Sequence, residues 1–296
     1  MSGISPARPA PAAVAAAPNG GRKTKADHPA VPITADELAE TAAACRDAGA
    51  AMIHLHVRGR DGAPTLDAEA LAEASAAIRR AVGDSLVIQV STESLGRFSP
   101  AEQMAAVAAS RPEAASLAVR EFAPSAADEA AFAAFLAEMR TWGTLPQFIV
   151  YAPEDLARLD ALIAAGVVPW ADPPVLFVLG RHARGQISAP ADLLAFLAPG
   201  QRRPGHWMVC AFGPREIACA ATAAALGGHA RVGFENNVLL PDGRTAADNA
   251  ALVAATVAAI GALGLVPETA DGLRASWRRC LDGSRPLSSR GPAPMS

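Results

Sequence analysis

Two histidines spaced two apart, His54 and His56, sit in the otherwise apolar run Ala51-Met-Ile-His-Leu-His-Val57, bounded by Gly49 and Gly59. Such a run reads as a buried strand, and residues two apart on a strand project from one face. Two neutral imidazoles side by side suit a divalent transition metal, zinc above all. The plainer alternative is a histidine pair hydrogen-bonded inside a core. A carboxylate that could join them is Glu235, just past the apolar run Ala230–Phe234. Two imidazoles and one carboxylate leave positions open for substrate, the catalytic rather than the closed structural pattern. A carboxylate at a strand end can equally be a salt-bridge partner.

The elements that must position these groups alternate between helix-like and short apolar segments. Thr34-Ala-Asp-Glu37 is a capping box that opens a helix ending near Gly49. The histidine strand follows, then a helix over 67–82, a strand over Leu86–Val90, and a helix capped by Ser99-Pro100-Ala-Glu102. Further strands are expected at Ala114–Leu117, Phe148–Tyr151, Val175–Leu179, Trp207–Ala211 and Ala230–Phe234, with helices near 127–141, 154–165, 190–198, 215–226 and 245–263. With a weak strand at Ala12–Ala17 this makes eight βα units, and the fold class expected is α/β, a single-domain (β/α)8 TIM barrel. A doubly wound open sheet is the alternative, but no GxGxxG follows the first strand. The expected division is a disordered segment over 1–10, the barrel over 11–266, and a C-terminal helix with a loose tail over 267–296.

Chemistry in such a barrel belongs at the C-terminal ends of the strands. His54 and His56 fall at the end of the second strand, Ser91 and Thr92 end the third, and Ser116 ends the fourth. Arg231 opens the eighth, which Glu235-Asn236-Asn237 ends. The second and eighth strands both flank the first, so His54, His56 and Glu235 can converge on one ion.

Composition narrows the classes. The chain has 296 residues, 51% of them hydrophobic, and a formal net charge of -3, enough for a sizeable core and with no basic surface for nucleic acid. No stretch is long and apolar enough to cross a bilayer. Cys45, Cys210, Cys219 and Cys280 are widely spaced without a CxxC pair, which fits a reduced cytoplasmic protein better than a disulfide framework. Lysine occurs only at Lys23 and Lys25, so Schiff-base chemistry has almost no candidate.

His-Leu-His-Val-Arg58, the Ser91-Thr92 turn, Pro112-Glu-Ala-Ala-Ser-Leu117, Phe177-Val-Leu-Gly180 and Gly227-Gly-His-Ala-Arg-Val-Gly-Phe-Glu-Asn-Asn237 resemble, in the same order, the β-keto acid cleavage enzymes. The resemblance runs from about Asn19 to Leu265. It implies a zinc-dependent barrel that condenses a β-keto acid with acetyl-CoA to give acetoacetate and a new acyl-CoA, and that forms homo-oligomers, dimers or tetramers. It further implies His54, His56 and Glu235 as zinc ligands, Arg231 as the proton-transfer arginine, and Ser91 or Thr92 with Ser116 as substrate-pocket hydroxyls. Arg231 is normally protonated, so binding the substrate carboxylate is an equal alternative to its acting as a base.

The chain departs from the family at four places. Asn236 stands where the family has an aspartate supporting the arginine, and an amide cannot accept a proton there. Arg22 aligns with a glutamate that holds an amino group in the founding activity, so it should repel an ammonium and attract a carboxylate. Ser-Thr-Gly-Gly has become Ser91-Thr-Glu93-Ser94, and a Pro-Gly-Gly loop has become Arg181-His-Ala-Arg184-Gly. These changes point to a neutral or anionic rather than an aminated keto acid.

Other residues have plainer readings. His229 and His206 should lie away from the catalytic face, and Cys210 reads as a buried inert thiol. His182, Arg181 and Arg184 are on a loop that could meet an acidic substrate or CoA phosphates, or simply face solvent. A metal hydrolase of the amidohydrolase type needs further ligands, for which His182, His206 and Asp242 are poorly placed. A barrel that keeps its metal and binds a small ligand without catalysis is the third reading, and Asn236→Asp discriminates: a gain in turnover means a damaged site, a loss an adapted one.

Overall fold

The computed structural model describes residues 10–283. The residues of the expected disordered start and loose tail that fall at 1–9 and 284–296 lie outside the described residues. Eight parallel strands close into a barrel: β1 (Val14–Ala16), β2 (Met52–Leu55), β3 (Val87–Val90), β4 (Ala114–Ala118), β5 (Leu145–Val150), β6 (Val175–Leu179), β7 (Trp207–Ala211) and β8 (His229–Val232). Closure runs through β1, where Ala15 pairs with Met52 on one side and with Arg231 on the other. The (β/α)8 barrel expected from the alternation of elements is therefore the fold.

The longer helices are α1 (Ala35–Asp47), α2 (Ala68–Val82), α3 (Pro100–Ser110), α4 (Glu129–Trp142), α5 (Pro153–Ala164), α6 (Glu216–Ala225), α7 (Asn249–Ala262) and α8 (Ala270–Leu281), and one short turn of helix, Val119–Phe122, follows β4. The capping boxes legible at Thr34/Glu37 and Ser99/Glu102 both form, each hydroxyl accepting from the N3 amide and each glutamate accepting in return. Residues expected as a helix near 190–198 make a 3-10 turn instead, Pro190–Ala195.

Parallel strands buried on both faces need apolar residues on both. Outward-facing Ile53, Leu55, Ile88 and Val90 join the layer between barrel and helices. Inward-facing Met52, Val87, Leu176 and Met208 fill the barrel with Leu273 and Trp277 of α8. The inward positions of β1 are only Ala13 and Ala15, and the large Trp277 ring packs in the same cluster. Its indole N–H donates to the His206 ring, which stacks on His229 at 4.1 Å. The two histidines expected off the catalytic face thus belong to the seal at the other end of the barrel.

Strand ends shift at three points. β2 stops at Leu55, because Val57–Arg58 turns away to pair antiparallel with Pro64–Thr65. β5 starts at Leu145, earlier than Phe148, across Pro146, a residue that ordinarily argues against a central strand. β8 ends at Val232, because Gly233 adopts φ +147 and a Cβ there would stand 2.3 Å from the Ala17 carbonyl oxygen.

Candidate active site at the C-terminal mouth of the barrel

His54 points inward near the end of β2 and His56 follows just past it. Their rings meet edge to face with centroids 5.2 Å apart. Glu235 arrives from the turn after β8, with its backbone N–H donating to Ala17 O at 3.1 Å. Its Oε2 lies 3.7 Å from His54 Nε2 and 3.5 Å from His56 Nε2. One ligand atom from each of the three lies within 4.8 Å of the others. Ligands about 2.0 Å from a tetrahedral zinc stand roughly 3.3 Å apart, close to the two Glu235–histidine separations. His56 Nε2 and Glu235 Oε2 are buried and have no hydrogen-bond partner. Most buried polar atoms in proteins are paired, and two unpartnered ligand-type atoms 3.5 Å apart fit a cation between them.

The protonation pattern suits the same purpose. Burial, reinforced by the Arg231 charge, holds His54 well below the usual histidine range, so it is a neutral ligand. Its Nδ1 faces Gln89 Oε1 at 2.8 Å, and Gln89 Nε2 in turn donates to Gln147 Oε1 at 3.0 Å. With Gln89 oriented this way, His54 carries its proton on Nδ1 and leaves the Nε2 lone pair free. Burial alone would raise the Glu235 carboxyl, but the Arg231 charge and the two imidazoles hold it below the usual carboxylate range.

Arg231 is almost fully buried. Its Nη2 donates to Glu235 Oε1 at 3.1 Å and to Cys210 Sγ at 3.4 Å. Burial would lower the guanidinium, yet Cys210 and Glu235 raise it above its ordinary value. It remains a cation, and its Nε and Nη1 have no partner. Arg231 and the open side of the histidine pair line one cavity. Its wall also includes Ser91, Tyr151 and the apolar Ile149, Val178 and Phe212.

The sequence-proposed residues do not all meet here. Ser91 lines the cavity and its Oγ accepts from Glu93 N at 3.2 Å. The Thr92 hydroxyl is committed to Ser116 O at 2.5 Å, and neither Thr92 nor Ser116 is among the cavity-lining residues. Ser116 lies in the middle of β4 rather than at its end. Arg22 is exposed and faces a second, outer cavity that it shares with Lys23, Gln186, Glu93 and Arg181. Asn236 is buried, with Nδ2 donating to Glu216 Oε1 at 3.1 Å and Oδ1 unpartnered.

Glu216 was not singled out by sequence reading. From the first turn of α6 its oxygens accept from Gly233 N at 3.0 Å, Asn236 Nδ2 and Asn237 Nδ2, so one carboxyl grips the whole turn that delivers Glu235. Burial pushes this carboxyl up to about 8, against the three donors. Asn19 does the same for His56, its amide bonding both the His56 N–H and C=O. Arg58 donates to Gly20 O and Lys23 O and so ties the loop after β1 to the histidine segment. Gln89 had a signal, an amide at an inward position of the apolar strand Val87-Ile-Gln-Val90. Glu216, a carboxylate in a surface-like helix start, had none.

The chain is similar in sequence and in fold to known proteins. The family model for beta-keto acid cleavage enzymes matches residues 11–277. The 3-keto-5-aminohexanoate cleavage enzyme of Fusobacterium nucleatum is 33% identical over 277 residues, covering 88% of this chain and 95% of its own. The 3-oxoadipate:acetyl-CoA acetyltransferase of Cupriavidus necator is 30% identical over 260 residues, covering 84% and 88%. The solved binary complex of ObcA with oxaloacetate aligns with a TM-score of 0.66 over 84% of this chain and 67% of that one, at 17% identity, a likeness of fold. A barrel of this topology, matched along nearly its whole described length, belongs to the beta-keto acid cleavage enzyme family.

Proposed function

We propose that the protein is a metal-dependent β-keto acid:acetyl-CoA acyltransferase, with zinc the first candidate for the cation and acetyl-CoA the co-substrate. The observation that carries this reading is the convergence of His54 Nε2, His56 Nε2 and Glu235 Oε2, two of them orphaned, beside the free N–H donors of Arg231. In the reaction, the C2–C3 bond of the keto acid breaks. The C2 fragment with its carboxylate joins the acetyl group as acetoacetate, and the remaining acyl group passes to the CoA thiol.

A divalent cation held by His54, His56 and Glu235 would supply Lewis acidity to the β-keto carbonyl. The rest falls to the chain. Arg231 keeps its proton, so its role is to hold the substrate carboxylate with Nε and Nη1 rather than to accept a proton. The Ser91 hydroxyl is placed to donate to a substrate oxygen. Glu216 fixes the Asn236 amide so that its carbonyl oxygen stays free as an acceptor. Relatives' names range from an aminated keto acid to 3-oxoadipate, so likeness alone does not select the acyl chain. Arg231, Arg181 and Arg22 around the two cavities support a neutral or anionic one.

The reading extends to a cytoplasmic homo-oligomer, dimer or tetramer. Its support is the burial of Cys45, Cys210 and Cys219 as free thiols and the exposed apolar Ile187 and Leu194. Among the described residues no helix is long and apolar enough to cross a membrane. Metal content of the purified protein, followed by a screen of β-keto acids with acetyl-CoA for acetoacetate and new CoA esters, tests the proposal. About one zinc per chain with acetoacetate release supports it, and bound metal without any acyl transfer overturns it.

A further inference from the structure

The inner and outer cavities share four wall residues, among them Glu93 and Arg181. These two come from loops 88 residues apart, after β3 and β6, and form an ion pair with Glu93 Oε1 3.0 Å from Arg181 Nη2. Their side chains are mostly buried, 19% and 16% exposed. The other carboxylate oxygen, Oε2, faces His56 Nδ1 at 4.0 Å, so the pair reaches from the metal-ligand cluster to the outer chamber. Arg181 also lies over the Phe212 ring at 5.3 Å.

Both loops are fixed. The backbone N–H of Ser94, next to Glu93, donates to Glu121 Oε2 at 3.0 Å, which also accepts from Gln103. Gly180, before Arg181, has φ +77, and a Cβ there would stand 2.6 Å from Ile187 O. From the first loop, Gly21 packs so close that a Cβ would meet Glu93 Oε2 at 2.9 Å. The charges are thus held at one place between the chambers rather than swinging free.

We propose that Glu93 and Arg181 form a charge-paired divider between the reaction chamber and the outer basic vestibule, and that this pair selects β-keto acids whose acyl chain ends in an uncharged group. The inference rests on the acyltransferase reading and narrows its substrate class. An acyl chain lying along Ile149, Val178 and Phe212 ends at the divider. A terminal carboxylate there must displace Glu93 from Arg181, and a terminal ammonium must displace Arg181 from Glu93. Each exchange strands a mostly buried charge. An uncharged end leaves the pair intact.

The test uses zinc-loaded protein and three β-keto acids of equal length ending in methyl, carboxylate or ammonium. Binding is measured by calorimetry without acetyl-CoA, and kcat/KM with it. The wild type should bind the methyl compound at least about tenfold more tightly than either charged one, the scale of one charge-assisted hydrogen bond. Glu93→Gln frees Arg181 and should improve carboxylate binding about tenfold or more. Arg181→Gln frees Glu93 and should do the same for the ammonium. The double variant carries neither charge and should show neither the carboxylate gain nor the ammonium gain of the single variants. It also keeps the test readable if Arg181→Gln alone does not fold, because no charge is left unpaired in it.

An unchanged order of preference across the variants, or a wild type that prefers a charged chain, overturns the divider. The predicted shifts in binding without acetoacetate formation support the divider and overturn the acyltransferase reading. Turnover with no shift does the reverse.

Discussion

Gln89 takes the Nδ1 proton of His54 into a hydrogen bond at 2.8 Å, while its own amide nitrogen is spent on Gln147 at 3.0 Å. The pair of glutamines makes the His54 tautomer a property of the barrel interior rather than of any bound ion. Gln89→Leu keeps the shape and removes the acceptor. Zinc affinity, measured by competition with a chelator, should fall roughly 10- to 100-fold with the fold retained. An unchanged affinity would show that the imidazole needs no orienting partner.

The ligand set itself makes a stronger claim. Glu235→Gln or His54→Ala should abolish stoichiometric zinc binding and reduce turnover to background. The same variants should also lose the thermal stabilisation that added zinc gives the wild type, about 2.7 kcal/mol at a hundredfold excess over Kd. A melting temperature that responds to zinc equally in both variants would place the ion elsewhere.

Asn236→Asp would set a second carboxyl oxygen against Glu216 Oε1, where Nδ2 now donates at 3.1 Å. Above about pH 8, where Glu216 is ionised, two acceptors face each other there, and the variant should lose on the order of 1–3 kcal/mol of stability. Turnover should fall as well, because the turn carrying Glu235 is held by the same carboxyl. A gain in turnover would mean that the amide is a lesion. Chemical denaturation and kcat measured on one preparation decide the matter.

The seal at the closed end predicts a pH dependence. Ala13 N donates to His229 Nδ1 at 3.0 Å, which requires an unprotonated nitrogen. Burial lowers His229 to about 4 and His206 well below the usual range. Both folded-state values lie below that of the unfolded chain, so the unfolded state binds more protons in this window. Stability is therefore complete above about pH 6.5 and declines as pH falls toward 4. His229→Gln keeps an acceptor for Ala13 and should flatten that part of the curve in urea titrations. An identical slope in the variant would remove His229 from the account.

The barrel was legible because its strands are short apolar runs at regular intervals and its helices carry capping boxes. Where a residue worked against its element, the boundaries moved, as at Pro146 inside β5 and at Gly233 after β8. The metal-ligand candidates were legible from strand ends alone, since period-two spacing and barrel closure bring His54, His56 and Glu235 together. What escaped were partners that only tertiary structure supplies. Glu216 lies 17 residues before the turn it grips, and Glu93 and Arg181, each conspicuous in its own loop, gave no sign of being one ion pair. Thr92 shows the converse, a hydroxyl at the right place in sequence that is spent on the Ser116 carbonyl.

Trp277 and Leu273 stop the barrel at its far end, so the chamber is a well with one door. Everything that enters must leave past whatever stands in that doorway. On the acyltransferase reading, a keto acid bound at the bottom must arrive before the bulkier acetyl-CoA and cannot be replaced while CoA remains. That traffic rule should appear in initial rates as inhibition by high acetyl-CoA when keto acid is scarce, relieved as keto acid rises. Rates that only saturate with acetyl-CoA at every keto acid concentration would mean that the small substrate has another way in.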